Sequence, residues 1–170
     1  KILQPVAGAM ADAGTPLSGV LYGGLMKTPA GIKVIEFNAR FGDPETEVVL
    51  PRLESDIYEV FTAAAEGRAI PALRWRDEAV MGVVMASKGY PGSYEKGAPI
   101  VIAPDFDELI YQMGTKRADD GRLLTAGGRV LMVVSRAQTM PESSARCYAA
   151  VEKVHCDNLF YRRDIAKFVL

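Results

Sequence analysis

A chain of 170 residues, 49% hydrophobic and 24% charged, is sized for one ordinary globular domain or two small ones. That composition excludes a disordered, collagen-like or coiled-coil protein. With 20 basic against 21 acidic residues the net charge is −1, which gives no electrostatic basis for binding nucleic acid or an anionic membrane. No apolar run approaches the roughly 20 residues that cross a bilayer.

The first thirteen residues place Ile2, Val6 and Met10 at helical spacing, and Ala13-Gly14-Thr15-Pro16 stops that helix. The start lacks the charged end and apolar centre of a signal peptide and has no initiating Met, so it reads as a piece of something longer. Residues 19–26 (GVLYGGLM) and 32–38 (IKVIEFN) read as strands. The short Thr28-Pro29-Ala30-Gly31 link makes them an antiparallel hairpin. Asp43 as N-cap and Pro44 as first helical residue predict a helix that Pro51 interrupts. A second helix is expected from Ser55, with Ile57, Val60, Phe61 and Ala64 on its apolar face and Gly67 at its end.

The texture then changes through Pro71 and Arg74-Trp75-Arg76-Asp77-Glu78, where a domain boundary is placed, with Trp75 as an anchor between the two parts. Beyond it, residues 79–87, 99–103 and 129–135 read as strands. Residues 105–113 read as a short helix capped by Asp105, and 141–154 as a longer helix. Short connections make this second half a mostly antiparallel α+β module.

Two cysteines, Cys147 and Cys156, are too few for a disulfide framework and read as buried or half-buried thiols in a reducing compartment, with the cytoplasm as the default. There is no P-loop and no G-x-S-x-G elbow, and the single histidine, His155, is placed late in the last helix as a structural or surface residue. The segment of interest is VIEFNARFGDPE, residues 34–45. Alternation on a strand puts Glu36, Asn38 and Arg40 on one face, with Ile35 and Phe37 turned to the core. A carboxylate and an amide oxygen two residues apart suit a hard cation that also takes phosphate oxygens. An adjacent arginine complements phosphate or carboxylate. The alternative is a solvated strand face in charge balance, and for Asp43 and Glu45 ordinary helix capping. Gly89-Tyr90-Pro91-Gly92 could approach a phosphate through backbone N–H groups or simply be a turn; Gly127-Gly128 reads as structural.

The stretch EFNARFGDPETEVVLPRLESD resembles the signature of the phosphoribosylamine–glycine ligase family, ATP-grasp enzymes of purine biosynthesis. GTPLSGVLYGGLM, ASKGYPGSYEKG, MGTKRADDGRLLTAGGRVLMVVS and YRRDI resemble further blocks of that family in the same order. The resemblance implies an α+β fold in two parts: residues 1–67 as the C-terminal part of an ATP-grasp domain, and 68–170 as the family's C-terminal domain. An N-terminal remainder would precede Lys1.

It further implies Glu36 and Asn38 as ligands of Mg²⁺ (or Mn²⁺) on ATP. Arg40 would steady the substrate carboxylate or acyl phosphate, and Asp43 would orient the substrate amine or Arg40. Lys88 and Tyr90 would be substrate contacts. The implied partners are ATP, glycine and 5-phosphoribosylamine, with no nucleic acid and no membrane; the implied products are glycinamide ribonucleotide, ADP and phosphate. Another ATP-grasp ligase with different substrates, or a non-catalytic module, are the alternatives. The strand VLYGGLM lacks the further acidic ligand many ATP-grasp enzymes carry, and Tyr111-Gln112-Met113-Gly114 stands where the family often has an F-H-A-G type sequence.

Overall fold

A computed structural model describes residues 1–168. The fold is α+β, and its strand pairs are antiparallel. The described chain divides into two compact units: residues 1–46 with 53–76, and residues 47–52 with 77–168.

In the first unit, α1 (Leu3–Asp12) ends as Thr15 N–H closes onto Met10 O at 2.9 Å. The hairpin follows as β1 (Tyr22–Thr28) and β2 (Gly31–Asn38), turned over Pro29-Ala30. Its register shifts once: Leu25 faces Val34, whereas Gly24 faces Glu36, so Ile35 is the extra residue of a bulge. Ile35 and Phe37 are not buried within this chain. They are 64% and 39% exposed, because two strands make no second layer to bury them. The cover that exists is local, with Leu3 of α1 and the Phe37 ring meeting over Gly23.

The helix expected from Pro44 begins two residues later, as α2 (Thr46–Val49). Residues 43–45 form a turn, closed by Thr46, whose N–H (3.1 Å) and hydroxyl both donate to Gly42 O. Pro51 then falls in a 3-10 turn over Leu50–Arg52. The next helix, α3 (Ile57–Ala65), is capped by Asp56, whose carboxylate accepts from Tyr58 N–H at 2.8 Å. Ser55 is not part of it and instead accepts from Arg74 N–H. Trp75, 42% exposed, bridges Leu53 within this unit.

The second unit holds two four-stranded sheets. One has the order β10-β3-β8-β5, from Leu159–Phe160, Ala79–Ser87, Arg129–Ala137 and Leu109–Gln112. The other has the order β6-β7-β4-β9, from Thr115–Arg117, Leu123–Thr125, Pro99–Ile102 and Val154–His155. β8 is buried without interruption from Val130 to Ser135, as a strand covered on both faces must be. Met81, Val83, Met85, Leu131 and Val133 join Cys147, Ala150 and Val151 of α4 (Met140–Val151) in the core. α4 is capped by Thr139, with Pro141 in its first turn.

Two expectations fail here. Residues 105–113 are not a helix: Leu109–Gln112 pairs with Leu131–Val134 as β5, because the central strand's open edge satisfies more backbone groups than an isolated helical turn. Asp105 ion-pairs with Lys153 at 3.1 Å instead of capping, which holds its carboxyl below the usual range. His155 is not helical either. α4 ends at Val151, and His155 pairs with Val101 across β9 and β4.

The tail is fastened to α4 by polar contacts: Tyr148 Oη donates to Arg162 O and accepts from Ile165 N–H, and Tyr161 and Arg163 both engage Glu152. Arg162 pairs with Asp164 at 2.8 Å.

Both cysteines are free thiols, Cys147 buried and Cys156 half-buried. Burial pushes the Cys147 thiol up to about 11. A raised folded-state pKa contributes stability fully below the unfolded value near 9, and that contribution is lost as pH climbs toward 11. Native protein treated with a thiol reagent at neutral pH is expected to modify Cys156 and spare Cys147 until denaturant is added. Equal rates at the two sites would overturn this.

Candidate active site

Beyond the bulge at Ile35, strand alternation returns Glu36 and Asn38 to one face. Their side chains are in contact, with Asn38 Nδ2 donating to Glu36 Oε1 at 2.9 Å. Glu36 Cγ lies over Gly24, 3.2 Å from where a Cβ at that position would sit, so β1 offers the carboxylate a side-chain-free floor. Arg40 follows past the strand end, with Nη1 donating to Phe41 O at 2.7 Å.

Two residues that sequence reasoning did not select complete this cluster. Tyr22 faces Asn38 across the ladder. Its phenol is raised above the ordinary value, first by a hydrogen bond with the Glu45 carboxylate, then by burial and by the negative charges of Glu45 and Glu36, with Arg40 opposing. Glu45 Oε2 and Tyr22 Cε2 both sit over Gly42, 2.5 and 3.0 Å from where a Cβ would be, and the Tyr22 contact ties the loop after Arg40 back to β1. Tyr22, Glu36, Asn38, Arg40 and Glu45 therefore form one polar cluster. Asp43 lies exposed in the turn between Gly42 and Pro44.

The donor set fits a magnesium–nucleotide site better than a closed metal cage. The Asn38–Glu36 hydrogen bond leaves the amide oxygen and the second carboxylate oxygen outside it, giving two hard donors on one face. Among the described residues no three His, Cys, Asp or Glu side chains converge as a metal-binding group. Mg²⁺ characteristically takes one or two carboxylate-type ligands and fills its shell with water and phosphate oxygens.

Lys88 and Tyr90 belong to the second unit, in the turn after β3. Lys88 is exposed, and its backbone N–H donates to Asn158 O at 2.9 Å. The Tyr90 ring presses on Gly128, whose added Cβ would fall 2.2 Å from Cδ2, and meets Tyr94 edge-on at 6.3 Å between centroids. Gly128 is thus a packing requirement for the tyrosine. No helix among the described residues is long and apolar enough to cross a membrane.

Residues 1–46 match the model of the phosphoribosylglycinamide synthetase ATP-grasp (A) domain, and residues 80–168 that of the phosphoribosylglycinamide synthetase C domain. The architecture is accordingly the C-terminal part of an ATP-grasp domain followed by a small, mostly antiparallel α+β domain. The chain belongs to the phosphoribosylglycinamide synthetase family.

It is 51% identical over 167 residues to a phosphoribosylamine–glycine ligase of Halalkalibacterium halodurans, covering 97% of this chain and 39% of that protein. It is 46% identical over 169 residues to one from Rhizobium meliloti, covering 97% of this chain and 40% of the relative. The crystal structure of phosphoribosylamine–glycine ligase from Thermotoga maritima superposes with a TM-score of 0.74 at 35% identity, over 85% of this chain and 36% of that one. The chain thus spans about 40% of the length of these curated relatives.

Proposed function

We propose that this chain is part of an ATP-dependent ligase that joins glycine to 5-phosphoribosylamine, giving glycinamide ribonucleotide, ADP and phosphate. The observation that supports it most is the hydrogen-bonded Glu36–Asn38 pair at the end of β2, with Arg40 next in line, in a chain of this family. Residues 1–67 would complete the ATP-grasp domain and 68–170 would form the C-terminal domain. The remainder of the parent enzyme would supply the other wall of the nucleotide site, and the cytoplasm is the proposed setting.

Glu36 and Asn38 would hold Mg²⁺ (or Mn²⁺) against the nucleotide's phosphates. When bound, the ion neutralises phosphate charge that would otherwise repel an incoming carboxylate. Arg40 presents a fixed positive fork to the glycine carboxylate and then to the acyl phosphate. Tyr22 hydrogen-bonds the Glu45 carboxylate beside this row. Asp43 would orient the glycine amine or Arg40, and Lys88 and Tyr90 would contact substrate.

The chemistry proceeds in two displacements. A glycine carboxylate oxygen attacks the γ-phosphorus and ADP leaves, forming glycyl phosphate. The amine of phosphoribosylamine then attacks the acyl carbon, phosphate leaves, and the amine nitrogen gives up a proton. No covalent protein nucleophile is required, so positioning and charge neutralisation are the protein's contribution.

The test is ADP release by the full-length parent with glycine and phosphoribosylamine omitted in turn. Release is expected only when both are present, and none from the 170-residue chain alone. Release without glycine would replace this reading with another ATP-grasp reaction.

A further inference from the structure

The Arg40 guanidinium is held by the chain that follows it. Its Nη1 donates to Phe41 O at 2.7 Å, and that oxygen belongs to the peptide joining Phe41 to Gly42. Whatever fixes this peptide fixes the anchor of Arg40. Two sets of contacts bear on it. On one side the Phe41 ring rests on Phe61 of α3, with centroids 5.8 Å apart. On the other side Gly42 is buried, and a Cβ there would fall 2.5 Å from Glu45 Oε2 and 3.0 Å from Tyr22 Cε2. Glu45 and Tyr22 are hydrogen-bonded to each other, and Gly42 O accepts both the N–H and the hydroxyl of Thr46. The backbone at Gly42 is not left-handed, so a side chain there would be opposed by lack of space and not by dihedral strain. Residues 22, 40–46 and 61 all belong to the first compact unit.

We propose that Gly42 is a positioning residue for Arg40: its missing side chain leaves the room in which the Glu45 carboxylate meets Tyr22, and that contact holds the Phe41–Gly42 peptide against β1. The inference rests on the function proposed above, in which Arg40 receives the glycine carboxylate. A methyl group at position 42 would stand 2.5 Å from the carboxylate oxygen, well inside van der Waals contact. That oxygen ends a flexible side chain and is the group that gives way, so the fold is kept and the Tyr22–Glu45 contact is lost. Residues 40–45 then keep their closure by Thr46 but lose their tie to the hairpin. Glu36 and Asn38 stay in the hairpin ladder. The displaced group is Arg40, and a shift of about 1 Å can cost on the order of 100-fold in rate.

The test uses the full-length parent with Gly42→Ala, Glu45→Ala, Glu45→Gln and the Gly42→Ala/Glu45→Ala double variant, read by amide exchange and by steady-state kinetics. Gly42→Ala is expected to speed exchange across residues 41–46 by roughly ten-fold or more and to leave residues 22–38 unchanged. It should lower kcat/KM for glycine by about ten- to 100-fold, with the KM for ATP within about two-fold. Glu45→Gln keeps an acceptor for the Tyr22 hydroxyl and should retain about five-fold more of kcat/KM for glycine than Glu45→Ala. In the double variant the methyl enters room the carboxylate has left, so its loss should not exceed that of Glu45→Ala alone. A fall in Tm with exchange at 41–46 unchanged overturns the contact's hold on the turn. Faster exchange with kcat/KM for glycine intact overturns the positioning role, as does an equal effect on the KM for ATP. Additive losses in the double variant, or Glu45→Gln no better than Glu45→Ala, overturn the shared-room account. If the wild-type parent shows no glycine-dependent turnover, the ligase reading fails on its own, and exchange alone decides whether Gly42 holds the turn.

Discussion

Replacing Glu36 by alanine in the full-length parent is expected to lower substrate-dependent ADP release by about 100- to 1,000-fold, the usual cost of deleting one preorganised charged group from a transition-state clamp. The loss has two parts. The variant removes one of two oxygen donors on that strand face, and it leaves Asn38 Nδ2 without the acceptor it uses at 2.9 Å. Raising Mg²⁺ should recover part of the activity if metal affinity is the main loss. Glu36→Gln separates charge from geometry, because it keeps an oxygen beside Asn38 while deleting the negative charge. Stability should barely change in either variant, since Glu36 is exposed. Full activity in Glu36→Ala would remove the metal role and leave the solvated-face reading of β2.

The largest stability effect is expected at Leu131→Ala. Leu131 is fully buried in the central strand β8, opposite Met85 on one side and Gln112 on the other. Its neighbours belong to ladders on both edges and cannot collapse into the space, so the cost should be about 2–5 kcal/mol. For a domain near 100 residues this lowers Tm by about 4–8 °C for each kcal/mol. Urea unfolding should show a lower midpoint at unchanged slope. A loss below about 1 kcal/mol would mean that β8 is not the packed centre of the unit.

Much of the local structure was legible in the sequence. The hairpin follows from two β-rich runs and a short turn, and the common face of Glu36 and Asn38 follows from the period of two. Both are properties of a few neighbouring residues. The fate of Ile35 and Phe37 was not, because apolar side chains specify burial only where something covers them. Residues 109–112 illustrate the same limit. An apolar run of that length suits a helix or a strand equally, and the choice fell to the open edge of β8.

Tyr22 shows how fine the distinction can be. Counting back from the Thr28–Gly31 pair without interruption would set Leu21 opposite Asn38; the bulge at Ile35 shifts the register by one and sets Tyr22 there. A one-residue slip exchanges the two faces of a strand, and nothing in GIKVIEFN marks where the extra residue goes. Glu45 was equally ambiguous, since an acid beside a helix start is common, and only its contact with Tyr22 separates it from a cap.

The sequence by itself therefore determined the order of most elements, the shared face of Glu36 and Asn38 and the blocks through which the family is recognised. These depend on local dihedral preferences and on side chains a few positions apart. Only the tertiary structure decided which residue stands opposite Asn38, which strand closes the edge of β8, and that residues 47–52 pack with the second unit while the site just before them stays with the first. Those outcomes depend on pairings between distant segments, where backbone hydrogen bonding and the packing of Val48 beside Gly82 outweigh local propensity.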